Sequence, residues 1–208
     1  MTRVKVCGIT TRDDLDAVVT AGVDAVGLIV DVDVETPREI SAAKAVELAR
    51  ATPPFVTTVL VTMPDTPEET VDLISRVQPD VAQIHGSQTP GDLAYLSAKI
   101  SGDVVKAVTP DDAARYDTVA DALLVDSLDE SGAGGTGETH DWERTRTLVD
   151  SLDSPVVLAG GLTVDNVAKA VSTVEPFAVD VASGVEAEPG RKDHDAVAAF
   201  VRAAGGRP

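Results

Sequence analysis

The one cysteine of the chain, Cys7, closes the short apolar stretch "RVKVC" directly before a glycine, and Asp126 closes another, "ALLVD". An unperturbed thiol ionises near pH ~8.5, so a nearby cation such as Lys5 or Lys106 would make it a better base or nucleophile. A carboxyl group facing it across a pocket would complete an acid–base pair that moves protons at two points of one small molecule. Taken alone, a single cysteine is more often a small packing residue, and an aspartate after a strand more often caps a helix. What favours chemistry is that both stand at strand ends. Two glycine-bearing segments, "LAGGL" with Gly160 and Gly161 and "VASGVE" with Ser183 and Gly184, add backbone N–H groups of the kind that hold phosphate. Arg38, a solvated surface residue on the blander reading, has the forked guanidinium that grips a carboxylate. His85 either bonds substrate hydroxyls or fills space. No Cys and His grouping has zinc spacing, so no metal is expected.

These residues need a scaffold, and the chain spells one out. Short β-rich runs recur: "RVKVC" (3–7), "DAVGLIV" (24–30), "FVTTVLV" (55–61), "DVAQIH" (80–85), "DVVKAV" (103–108), "DALLVD" (121–126), "PVVLAG" (155–160) and "FAVDVA" (177–182). Between them lie segments with apolar residues three and four apart, opened by capping residues such as Ser41 and Thr66 before Pro67. Strand and helix alternate at a mean spacing of about 25 residues, the pattern of βαβ units and a parallel sheet. Eight units fit an α/β fold of the closed (β/α)8 barrel type, as a single domain over residues 1–208. An open doubly wound sheet is the rival, but no GxGxxG follows the first strand.

Successive strand side chains point to opposite faces, and helices must cover the apolar one. That alternation turns Lys5, Cys7, Gln83, His85, Lys106, Leu124, Asp126 and Asp180 toward the barrel interior. Burying so many charges is costly unless they pair or meet a ligand, and barrels keep their sites at the C-terminal strand ends. The segment "SLDESGAGGTGETHDW" (127–142) is long and glycine-rich for a connection, which suits a lid over Asp126.

Thirty-five acidic residues oppose seventeen basic ones, for a formal net charge of −18. That field repels nucleic acid and anionic membranes. It resembles the acidic profile of proteins from salt-loving organisms, in which self-repulsion is relieved by concentrated salt. One cysteine makes no internal disulfide, the start of the chain lacks a signal peptide, and no apolar run is long enough to span a bilayer; a cytoplasmic location is expected.

Several stretches together resemble the phosphoribosylanthranilate isomerase family of tryptophan biosynthesis. They are "VKVCGIT" (4–10), "AGVDAVGLI" (21–29), "QIHG" (83–86), "GGTGETHDW" (134–142), "LAGGLTVDNV" (158–167) and "PFAVDVASGVEAEPGRKDHD" (176–195). The resemblance implies a (β/α)8 barrel that uses neither cofactor nor metal and rearranges an aminoaldose to a 1-amino-1-deoxyketose, the Amadori reaction. It implies Asp126 as general acid and Cys7 as general base, with Arg38 on the anthranilate carboxylate. Gly160, Gly161, Ser183 and Gly184 would hold phosphate, and His85 and Asp180 the sugar. The implied partner is the small phosphorylated substrate alone. Another phosphate-binding barrel enzyme, such as indole-3-glycerol-phosphate synthase, and a barrel that only binds a phosphorylated metabolite are the alternatives.

Overall fold

In the computed structural model, the described residues are 1–126 and 141–205; the expected lid, apart from Asp141 and Trp142, lies outside them. Strands β1 (Arg3–Cys7), β2 (Ala25–Ile29), β3 (Thr57–Thr62), β4 (Val81–Ile84), β5 (Asp103–Val108), β6 (Ala122–Val125), β7 (Val156–Leu158) and β8 (Ala178–Val181) close into one parallel ring in chain order. Helices α1 (Arg12–Thr20), α2 (Ala42–Ala51), α3 (Pro67–Val77), α4 (Pro90–Lys99), α5 (Ala113–Tyr116), α6 (Trp142–Ser151), α7 (Val167–Val174) and α8 (His194–Ala203) follow them. The expected (β/α)8 barrel is the fold. Among the described residues no helix is long and apolar enough to cross a membrane.

Local chemistry explains the helix starts. Thr11, Ser41, Thr66, Thr89, Asp141 and Asp193 each accept a hydrogen bond from a first-turn amide, relieving one of the unpaired N–H groups there. Pro67 and Pro90 occupy helix positions where a missing N–H costs nothing. The Asp that leads several strand motifs also has a role. Asp24, Asp80 and Asp121 accept from the amides of Val4, Thr58 and Val104, so the N-terminal rims of β2, β4 and β6 are each tied to the odd strand before them.

Both strand faces are buried, which is why the motifs read as nearly continuous apolar runs. Outward residues such as Val6, Leu28, Leu60, Ile84, Leu123 and Val179 form one core with Leu15, Leu48, Leu93 and Phe200 of the helices. Inward residues are smaller: Val59, Val61, Ala107, Leu124, Val157 and Ala178. Small inward side chains leave the barrel mouth room for a ligand.

Two expectations need correction, and one further element joins the fold. Lys106 does not face the barrel interior. It pairs in register with Ile84 and Leu123, both outward, and its Nζ donates to the carbonyls of Ile84 and Gly86 at 3.2 and 2.9 Å. In "DVVKAV" the inward set is Val105 and Ala107, so both faces of β5 carry apolar residues and hydrophobicity alone does not tell them apart. The third strand begins at Thr57 instead of Phe55, because Pro53 and Pro54 steer the chain outside the ladder and leave Phe55 exposed at φ 73°. Finally, an unforeseen hairpin, β9 (Glu186–Glu188) and β10 (Arg191–Lys192), rises between β8 and α8.

Candidate active site

At the C-terminal mouth of the barrel a single cavity is lined by Cys7, Arg38, His85, Asp126, Gly160, Gly161, Asp180, Ser183 and Gly184. Every site residue singled out in the sequence therefore borders the same space. The thiol arrives on the last residue of β1, and Asp126 on the first residue beyond β6, its amide donating to the Val108 carbonyl at 3.3 Å. Cys7 fits because its neighbour on β2 is Gly27, where a Cβ would stand 2.7 Å from the Sγ atom.

Lys5 and Asp180 meet inside the barrel. The Lys5 Nζ lies 2.7 Å from Asp180 Oδ2, with both side chains under one-tenth exposed. Asp180 Oδ1 has no protein partner among the described residues, leaving a buried acceptor on a residue that lines the cavity. Burial works against the Lys5 charge, but Asp180 and Cys7 outweigh it and hold the ammonium above its ordinary value. For Cys7 the balance falls the other way. Burial and the Asp180 charge push the thiol up, and Lys5 and Lys192 only partly offset them. The expected bias toward thiolate is thus present from Lys5, yet smaller than the desolvation that opposes it. Lys106, in the helix layer, is absent from the groups acting on the thiol.

The Gln83 amide nitrogen and His85 Nε2 are 2.8 Å apart, so with the amide donating the ring nitrogen accepts. On the opposite side of the ring, after β7 and β8, the glycine turns interlock. Gly160 and Gly161 have φ of 85° and 61°, and a Cβ on Gly184 would lie 1.9 Å from the Leu162 carbonyl oxygen. Only glycine permits that approach. Asn166 accepts from the Thr163 amide and donates to the Gly161 carbonyl, fixing the first turn. After β8 the chain makes a short 3-10 turn over Ser183–Val185.

Arg38 reaches the cavity from the loop after β2, held there by a bridge between Ile29 and Glu39. Its guanidinium makes a forked pair with Glu186 of β9, Nε–Oε1 and Nη2–Oε2 both 2.8 Å. Glu186 and Lys192 carry no signature in the local sequence, since they come into play only when the hairpin folds back on a loop 148 residues earlier. The same holds for an apolar wall of Ile29, Val32, Val34, Val61 and Met63, contributed by β2, β3 and their loops. Together these groups can hold a molecule with anionic groups and an apolar ring, with a thiol and a carboxyl bordering the same space.

Comparison with known proteins points one way. Residues 4–203 match the family model described as N-(5'phosphoribosyl)anthranilate (PRA) isomerase. The chain is 69% identical over 206 residues to an N-(5'-phosphoribosyl)anthranilate isomerase of Natronomonas pharaonis, with 99% of each chain covered. It is 63% identical over 213 residues to one of Halobacterium salinarum, covering 100% of this chain and 98% of that one. Among solved structures it resembles the phosphoribosyl anthranilate isomerase of Thermotoga maritima, with a TM-score of 0.86, 37% identity and 99% of each chain covered. It also resembles a phosphoribosyl anthranilate isomerase in complex with reduced 1-(o-carboxyphenylamino)-1-deoxyribulose 5-phosphate, with a TM-score of 0.84, 36% identity and 99% of each chain covered.

Proposed function

Because the chain belongs to the N-(5'-phosphoribosyl)anthranilate isomerase family and performs its rearrangement in tryptophan biosynthesis, we propose that Cys7 and Asp126 are the proton-transfer residues. The observation that supports this is their shared cavity, reached from β1 and β6, with glycine turns on its rim.

In this reading the substrate phosphate sits on the turns of Gly160, Gly161, Ser183 and Gly184, and Arg38 takes the anthranilate carboxylate. The apolar wall receives the aromatic ring. His85 and the Oδ1 atom of Asp180 face the sugar hydroxyls. Asp126 donates a proton to the ribose ring oxygen. The C1'–O bond breaks, and the nitrogen lone pair forms the C1'=N bond of a protonated Schiff base. Cys7, as thiolate, removes the proton from C2', and the C2'–H electrons flow into the iminium to give an enolamine. Loss of the enol proton and protonation at C1' give the ketose, with no change in atoms or net oxidation state. The cationic Schiff base itself helps, because a positive charge beside Cys7 joins Lys5 in favouring the thiolate that burial otherwise disfavours. The lone buried thiol also suits a reducing cytoplasm.

The test is turnover of freshly made N-(5'-phosphoribosyl)anthranilate by the purified protein, followed by substrate fluorescence in high and low KCl. Cys7→Ala and Asp126→Asn should each lower kcat by about 10² or more, with unchanged circular dichroism, as expected for proton-transfer groups. Near-normal turnover by either variant removes that residue from the role. A barrel that merely binds would saturate with product analogue while the substrate signal stays constant.

A further inference from the structure

Arg38 is held along one edge of its guanidinium by a partner from a distant hairpin. Its Nε and Nη2 are both committed to Glu186, whose Oε1 also accepts from Lys192 Nζ at 2.9 Å. Lys192 in turn donates to the Ala182 carbonyl at 3.0 Å, directly before the Ser183 turn. The Glu186 side chain is 5% exposed and that of Lys192 is 0%, so this is an interior network, not a surface ion pair. Burial pushes the Glu186 carboxyl up, but the hydrogen bonds and charges of Arg38 and Lys192 prevail and keep it below the ordinary carboxylate range.

The surrounding backbone is shaped to the same end. The Arg38 stem runs over Gly8, where a Cβ would be 2.8 Å from its Cδ. The hairpin tip, Gly190 at φ 79°, lies against the Pro37 carbonyl, which a Cβ would approach to 2.5 Å. Arg38 borders the cavity, whereas Glu186 and Lys192 are not among its lining residues. A guanidinium has two usable edges. Glu186 takes the Nε–Nη2 edge. The described contacts leave Nη1 and the second hydrogen of Nη2, the edge that can chelate another carboxylate.

We propose that Glu186 is a positioning residue for substrate recognition: it fixes one edge of Arg38 so that the other meets the substrate's aromatic carboxylate in a forked pair. This rests on the isomerase reading above and adds a residue that does not itself touch substrate.

Charge and positioning predict opposite outcomes for Glu186→Gln. The substrate is an anion, so deleting a nearby negative charge should by itself tighten binding and lower KM. Loss of an anchored Arg38 should raise it. The expected result is a KM for phosphoribosylanthranilate raised about tenfold with kcat changed less than about threefold, the signature of lost uniform binding. With N-(5'-phosphoribosyl)aniline, which lacks the carboxylate, wild type and variant should behave alike, which also shows that the barrel is intact. Combining Arg38→Met with Glu186→Gln should cost no more than Arg38→Met alone, because the glutamate acts through the arginine. An unchanged or lowered KM, an equal loss on both substrates, or additive losses in the double variant overturns the proposal. Wild-type protein that leaves phosphoribosylanthranilate unconverted sinks the isomerase reading instead.

Discussion

Cys7 shows how closely the state of one side chain depends on its immediate company. Burial and Asp180 raise the thiol, and Lys5 and Lys192 oppose them. Thiolate is the form that alkylates, so the pH midpoint of iodoacetamide reaction should lie above the ordinary value of about 8.5. Lys5→Met removes a contribution that lowers the pKa while Asp180 remains, so the midpoint should move higher still; an unchanged midpoint excludes Lys5 from that role. Cys7, Asp126, His85 and Asp180 are readable from sequence because each ends or nearly ends a strand, where period-two alternation says which way it points. Arg38 is readable as a residue but not as half of a pair. Glu186 lies far along the chain from it, and no local pattern encodes a contact closed only by tertiary folding.

At the scale of elements, the alternation of strands and helices is legible almost throughout, since caps, prolines and apolar spacing agree with one another. The faces of β5 are not, because valine and alanine line one side while valine and a buried lysine line the other. Lys106 serves the scaffold, tying β5 to the Ile84 and Gly86 carbonyls that flank His85. Burial lowers its pKa from 10.5 to about 8, with Asp112 opposing only in part. An unfolded lysine keeps its proton to about 10.4, so between roughly pH 8 and 10.4 the unfolded chain binds more protons and stability rises with pH. Below that window the full cost of a buried ammonium is present. Across it the gain should be on the order of 3 kcal/mol. Urea midpoints measured from pH 7 to 10.5 should climb for the wild type relative to Lys106→Met; parallel curves would show that the lysine titrates alike in both states.

For the whole molecule, the net charge of −18 sets the relation to salt. Screening shortens from about 10 Å at 0.1 M to about 3 Å at 1 M, which relieves repulsion among exposed acids while leaving the buried Lys5–Asp180 and Arg38–Glu186 pairs nearly untouched. The melting temperature should therefore rise by more than about 5 °C between 0.1 M and multimolar KCl, and a flat profile would speak against an acid-burdened surface. Composition makes that charge plain, but does not show that Asp24, Asp80 and Asp121 are consumed by the barrel rim. Ring closure has one more consequence. The strand carrying Cys7 hydrogen-bonds to β8, the strand carrying Asp180, across a seam that joins the earliest of the eight barrel strands to the latest. On the ribosome, a chain that has emerged only through its seventh unit has a thiol without its ion-paired lysine and no complete rim for phosphate. Activity should therefore wait until the eighth strand joins the ring.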